Sequence, residues 1–198
     1  MQVIEGKDVD VLSPFPSGLI DEAVGWMHCH KTLVFGDDGP STPDEIKEFL
    51  VSRMALPFVQ TFGVVDKHNL TSAKKYVPPL VGIVFFERNG RENGYVHLAS
   101  SRRAWGRKLA QPGLMEQGGL LIQRHLFEAM PDLTRLSVST YENNKAARAL
   151  AVRLGFKQDG RFEAMSTWRG APMAVTHYGL LRDQLAPSAL EVPNGLGI

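Results

Sequence analysis

The stretch from 80 to 100 constrains this chain more than any other. Residues 80–87 carry Val81, Ile83, Val84 and Phe85 in an apolar run that reads as a strong strand. Two turn dipeptides follow, Asn89-Gly90 and Asn93-Gly94, so 95–100 is expected to return as the antiparallel partner. A lone hairpin is marginal in water, so the rest of the chain has to supply further strands and the helices that cover them.

The flanking segments alternate in type. Residues 1–12 mix Val and Ile with Asp, Glu and Lys and suit one short edge strand. Ser13-Pro14-Phe15-Pro16 breaks the chain. A helical pattern then runs from about residue 17, with Leu19, Ala23, Trp26 and Met27 near one face, and ends at 36–39. Thr42 is placed to cap a second helix, with Pro43 at its first position and Asp44 and Glu45 at the positive end of its dipole. Ile46, Phe49 and Leu50 give that helix its apolar face.

A strand is expected over 57–65. A helix from about 114 carries Met115, Gly119, Ile122, Leu126 and Met130 at helical spacing, with a strand over 134–140 behind it. Asn143 or Asn144 caps another helix, which Gly155 stops. Strands over 161–167 and 173–181 flank a turn at 168–172. This order mixes antiparallel pairs with crossover helices, which is an α/β sheet with helices on both faces. A single domain over 1–183 is expected, followed by a loose tail over 184–198 rich in Pro, Gly and Ala.

Composition removes several classes of function. The 198 residues are 43% hydrophobic and 22% charged, as in ordinary folded domains and unlike disordered chains. Lys and Arg number 22 against 21 for Asp and Glu, a formal charge of +1, which gives no case for nucleic acid or an anionic membrane as partner. No apolar run approaches the roughly 18 residues of a membrane helix. The opening residues lack the basic-then-apolar plan of a secretory signal, so a cytoplasmic protein is expected. Cys29 is the only cysteine; it forms no internal disulfide and builds no multi-cysteine zinc site. His28-Cys29-His30 sits on a helix, where adjacent side chains point about 100° apart, so no metal centre is expected there.

The run Asn144-Lys145-Ala146-Ala147-Arg148-Ala149-Leu150-Ala151-Val152-Arg153-Leu154-Gly155-Phe156, with Gly160 shortly after, resembles the GCN5-related N-acetyltransferases. The closing Tyr178-Gly179-Leu180-Leu181-Arg182 looks like the final strand of the ribosomal-protein N-acetyltransferase branch, and element order fits over about 1–183. The resemblance implies a mixed, mostly antiparallel central sheet of about six to seven strands. It implies transfer of an acetyl group from acetyl-CoA to an amine of a protein or small molecule, with a homodimer left open. The alternative is a catalytically inactive binding or structural protein on the same fold.

The resemblance also implies where the donor lies: a V-shaped opening between the fourth and fifth strands, here 95–100 and 134–140. Backbone groups of Leu98 and Ser100 would pair with the pantetheine arm as an added strand does. Arg103, Gly106, Arg107, Lys108 and Gly113 would serve the pyrophosphate, and Asn144 carries over as a cofactor-side position. Ser101 to Gly113 holds four basic residues and no acid, which suits one nucleotide-like cofactor.

Two departures stand out. Lys108 occupies a small-residue position of the glycine loop, which leaves 111–117 as a rival phosphate segment. Ala151 stands where many members place a tyrosine acid, so Tyr141, Ser139 or a water would protonate the departing thiolate. For the base, His97 has an imidazole suited to the task, with Glu87 second. Strand alternation sets His97 and Ala99 opposite Val96 and Leu98, so the face that His97 takes decides its role.

Overall fold

A computed structural model of the chain describes residues 1–35, 37, 39–69, 79–101, 104 and 113–185. Its elements in chain order are β1 (Gln2–Glu5), β2 (Val9–Ser13), α1 (Ile20–Cys29), α2 (Lys31–Phe35), α3 (Pro43–Met54), β3 (Val59–Asp66), β4 (Leu80–Asn89), β5 (Asn93–Ser100), α4 (Leu114–Ala129), β6 (Arg135–Tyr141), α5 (Lys145–Arg153), β7 (Lys157–Trp168) and β8 (Ala171–Leu181).

The strands form one sheet in the order β1-β2-β3-β4-β5-β6-β8-β7. Every neighbouring pair is antiparallel except β5 and β6. The sheet has eight strands, one more than the upper expectation of seven, because residues 1–12 are not one strand. They fold back as a hairpin in which Glu5 faces Asp10, with Asp10 Oδ1 accepting from the Gly6 N–H at 3.4 Å. The turn at 6–8 is hidden in the sequence by the polar residues on both sides of it.

Helices cover both faces. Val64, Val84, Phe86 and Leu136 pack with α4 and α5, while Ile83, Phe85 and Ala99 pack with α1 and α3. The local signals explain the helix ends. Thr42 Oγ1 accepts from the Glu45 N–H at 3.3 Å, and Glu45 Oε2 accepts from the Thr42 N–H at 3.1 Å, a complete capping box. Asn144, rather than Asn143, caps α5 by accepting from Ala147 N–H at 3.0 Å. α4 lies close on its neighbours because Gly118 and Gly119 have no side chains. A Cβ would stand 2.6 Å from Val64 Cγ1 at Gly118 and 2.8 Å from Leu154 Cδ2 at Gly119.

β7 begins at Lys157, earlier than expected, because Lys157, Gln158 and Gly160 pair with β8, around an irregularity at Asp159, without any apolar alternation to announce them. Its ladder is interrupted between Phe162 and Ser166, where Ala164 has φ 51°. The β7–β8 turn places Arg169 and Gly170 both at positive φ, as a type I′ hairpin requires.

Candidate functional site

The parallel pairing of β5 with β6 lasts for three register pairs, Asn93 with Arg135, Gly94 with Leu136 and Tyr95 with Ser137. Past Tyr95 the two strands run on without a common ladder, which opens the sheet. Ser101 N–H donates to Val81 O at 3.0 Å, which sets the parity of β5: its odd residues bond to β4. The N–H and C=O groups of Val96, Leu98 and Ser100 therefore turn toward the β6 side. Leu98 and Ser100, two of the residues singled out from the sequence, stand on this edge of β5.

A cavity of about 590 Å³ occupies the opening. Leu98, Ser100, Ala104, Gly113, Met115, Asn144 and Ala151 line it on the side of α4 and α5. Gly113 is the N-cap residue of α4, with no side-chain cap of its own. Arg103, Gly106, Arg107 and Lys108 lie outside the described residues.

Two polar side chains in the cavity wall keep hydrogen-bonding atoms unused among the described residues. Gln123 is 3% exposed; its Nε2 donates to Leu154 O at 3.2 Å, and its Oε1 has no partner among the described residues. Thr140 Oγ1 is likewise buried without one. Both residues line the cavity. Unsatisfied buried polar atoms are rare in folded proteins, so these two are placed to take hydrogen bonds from a bound group.

The opposite face of the opening carries the titratable groups. Ala99 belongs to the core under α1 and α3, so His97 is on that face too. His97 Nε2 lies 3.6 Å from Glu87 Oε2, and Arg53 Nη1 lies 3.1 Å from the same oxygen. Burial, followed by the Arg53 guanidinium, holds the His97 pKa below the ordinary imidazole value, and the Glu87 carboxylate opposes them. The ring is thus neutral near neutral pH while its side chain stays 51% exposed at the mouth.

Tyr141 also lines this face, and its hydroxyl donates to Phe35 O at 3.1 Å, which pins the end of α2 over the opening. Asp37 Oδ2 accepts from the Gly170 N–H at 2.9 Å, which ties the segment after α2 to the β7–β8 turn; bonds from Gly170 and Arg169 hold the Asp37 pKa below the usual carboxylate range. The interruption in β7 brings Met165 and Ser166 into the wall.

Sequence reasoning assigned no site role to four residues that line the cavity. Arg53 sits on α3, far along the chain from His97. His177 of β8 faces Ser139 of β6, with Nδ1 2.9 Å from Ser139 Oγ and the ring edge-on to Phe162. On α1 and its end, Met27 and His30 line the cavity. No local motif marks any of these; only the strand register and helix packing bring them together.

The sequence matches no protein-family model and no curated protein. Solved structures match it closely in shape. A ribosomal-protein S5 alanine acetyltransferase from Vibrio fischeri aligns with TM-score 0.68 at 17% identity, over 94% of this chain and 100% of the other. A ribosomal L7/L12 alpha-N-protein acetyltransferase in complex with coenzyme A aligns with TM-score 0.71 at 13% identity, over 92% and 99%. A GCN5-related N-acetyltransferase from Brucella melitensis aligns with TM-score 0.68 at 15% identity, over 94% and 86%. The chain has the fold of the GCN5-related N-acetyltransferases. Among the described residues no helix is long and apolar enough to cross a membrane.

Proposed function

We propose that this protein is an acetyl-CoA-dependent N-acyltransferase acting on an amine of a protein or small molecule. The observation that carries the reading is the opening between β5 and β6. Backbone groups of Val96, Leu98 and Ser100 face it from one side, and a neutral histidine stands on the far face. An arm laid along β5 would take the place of the missing ladder, with Gln123 and Thr140 as further acceptors for its amides. The α4 N-terminus at Gly113 and the basic residues Arg103, Arg107 and Lys108, with Gly106, would serve the phosphates, and Asn144 would hold the α5 end of the site.

Bound acetyl-CoA supplies a thioester whose carbonyl carbon takes the amine nitrogen, while the C–S bond breaks and the electron pair leaves on sulfur. The chain's own groups handle the protons. With Nε2 turned to Glu87, Nδ1 of His97 is the atom that receives the proton of the incoming amine. Arg53 keeps that ring neutral beforehand, and Glu87 steadies the imidazolium afterwards. The Ser139 hydroxyl, bonded to His177, is a proton source for the sulfur. Tyr141 serves by holding α2 in place, since its hydroxyl hydrogen is directed at Phe35 O.

Thermal melting and calorimetry with acetyl-CoA test the reading. At about 100 times Kd the ligand adds roughly 2.7 kcal/mol, a rise of about 5–11 °C in a chain of this size. No shift and no heat at saturating acetyl-CoA would leave the fold without its donor and refute the proposal.

A further inference from the structure

Ser139 stands on β6 at the edge of the opening, and the strand registers name its neighbours. The parallel ladder of β5 with β6 ends at Tyr95 and Ser137. Carried two residues further, the same register sets His97 and Ser139 across the gap from each other. Strand alternation puts both side chains on the face covered by α1 and α3. His177 of β8 is the direct partner of Ser139 in the antiparallel ladder, so it stands on that face as well. The three side chains form a row, with His97 on one lip, Ser139 on the other and His177 behind it. All three line the cavity.

Ser139 Oγ and His177 Nδ1 are 2.9 Å apart, so one donates to the other. The direction decides what Ser139 can do. If the hydroxyl donates to the ring, its hydrogen is turned away from the gap. If Nδ1–H donates, the hydroxyl hydrogen is left for the gap. The far nitrogen favours the second arrangement: His177 Nε2 is buried and has no partner among the described residues. An uncharged imidazole carries one N–H, and an orphaned buried N–H is rarer than an unused acceptor. Phe162 packs at right angles to the ring, centroids 4.8 Å apart, and holds it in place. We propose that His177 is a positioning residue for acyl transfer: as the Nδ1–H tautomer it donates to Ser139 Oγ and aims the hydroxyl hydrogen at the thioester sulfur. The proposal rests on the donor reading given above. As the C–S bond breaks, the electron pair goes to sulfur and the Ser139 hydrogen follows it. Solvent water returns a proton to Oγ, and the N–H bond of His177 stays intact.

Two measurements on the full chain test it. Long-range proton–nitrogen correlation NMR near neutral pH reads the tautomer of each of the six histidines. The signals of His177 are those missing from His177→Phe, with His177→Gln in its place where that variant fails to fold. Nδ1–H is the expected tautomer, and Nε2–H overturns the proposal. Kinetics with acetyl-CoA and hydroxylamine, a small amine uncharged near neutral pH, then separate positioning from packing. A positioned acid contributes about a hundredfold at the low end, so Ser139→Ala and the His177 variant should each lower kcat by up to about that factor. Calorimetric affinity for CoA should be kept in both. In the Ser139→Ala background the His177 substitution should cost nothing more; a full separate loss there means the ring acts only by packing, and overturns the proposal. If CoA and acetyl-CoA bind but the His177 variant keeps the parent kcat, the positioning role alone falls. If neither binds, the donor reading falls and the positioning role with it.

Discussion

Replacing Arg182 should unfasten the closed end of the opening. The residue follows β8, and its backbone N–H donates to Thr134 O at 2.8 Å, just before β6. Its guanidinium collects the carbonyls at the end of α4: Nη1 reaches Phe127 O at 2.7 Å, Nη2 reaches Met130 O and Leu133 O at 2.6 Å each and Pro131 O at 3.1 Å, and Nε reaches Leu133 O at 2.9 Å. A helix ends with carbonyls that lack intrahelical partners, and a cation suits that end of its dipole. Met130 and Pro131 can turn to water when the guanidinium is lost, whereas Phe127 and Leu133 are 2% and 0% exposed. Leaving a buried acceptor unsatisfied costs about 1–3 kcal/mol, so these two give about 2–6 kcal/mol for Arg182→Ala. In a chain of this length that is a fall of roughly 4–24 °C in Tm. Calorimetric melts of Arg182→Ala, Arg182→Met and Arg182→Lys separate the contributions. Met keeps the stem against Phe127, and Lys keeps the charge but lacks the planar fork. Both should remain well below the parent. A Tm within about a degree of the parent for Arg182→Ala would refute the reasoning.

Further outcomes follow from the same geometry. For His97, the folded-state pKa lies below the ordinary value of about 6.5, so the acid limb of kcat/KM should lie below that pH. His97→Ala should remove the limb; a pH–rate profile that does not change would take His97 out of the mechanism. Arg53→Met removes a charge that disfavours the imidazolium and should move the limb up in pH, while Glu87→Gln should move it down. In the stability of the protein the sign is the same: the unfolded chain takes up the proton first as pH falls, so this group's contribution is present above about 6.5 and lost as pH drops through the folded value. Two glycine substitutions should act in opposite directions in thermal melts. Gly25→Ala in α1, with nothing within 4 Å of the new Cβ, gains about 0.5–1 kcal/mol of helix preference. Gly118→Ala instead sets its Cβ 2.6 Å from Val64 Cγ1, and overpacking of about 1–3 kcal/mol outweighs the same preference. Thr42→Ala should cost about 0.5–2 kcal/mol through loss of the capping box.

What the sequence makes legible is local. The β4–β5 hairpin is announced by its turn dipeptides, α3 by Thr42 and Pro43, and α5 by its capping asparagine and terminal glycine. The β1–β2 turn is silent because charged residues surround it. The division of one expected helix into α1 and α2 falls at His30, whose φ of −127° leaves the helical region, and no residue there announces the break. In the site, alternation alone leaves two faces open for His97, and the position of Ala99 in the core under α1 and α3 chooses between them. Arg53 and His177 reach the opening through α3 packing and the β6–β8 register. Both depend on contacts between residues far apart in the chain, which periodicity does not encode.

The most direct measurement is the structure of the complex with acetyl-CoA. The account predicts the pantetheine arm between β5 and β6, with its amides on the backbone of Val96, Leu98 and Ser100 and its thioester within reach of His97. A bound molecule lying outside that opening, or strands β5 and β6 zipped together past Tyr95 and Ser137, would contradict it.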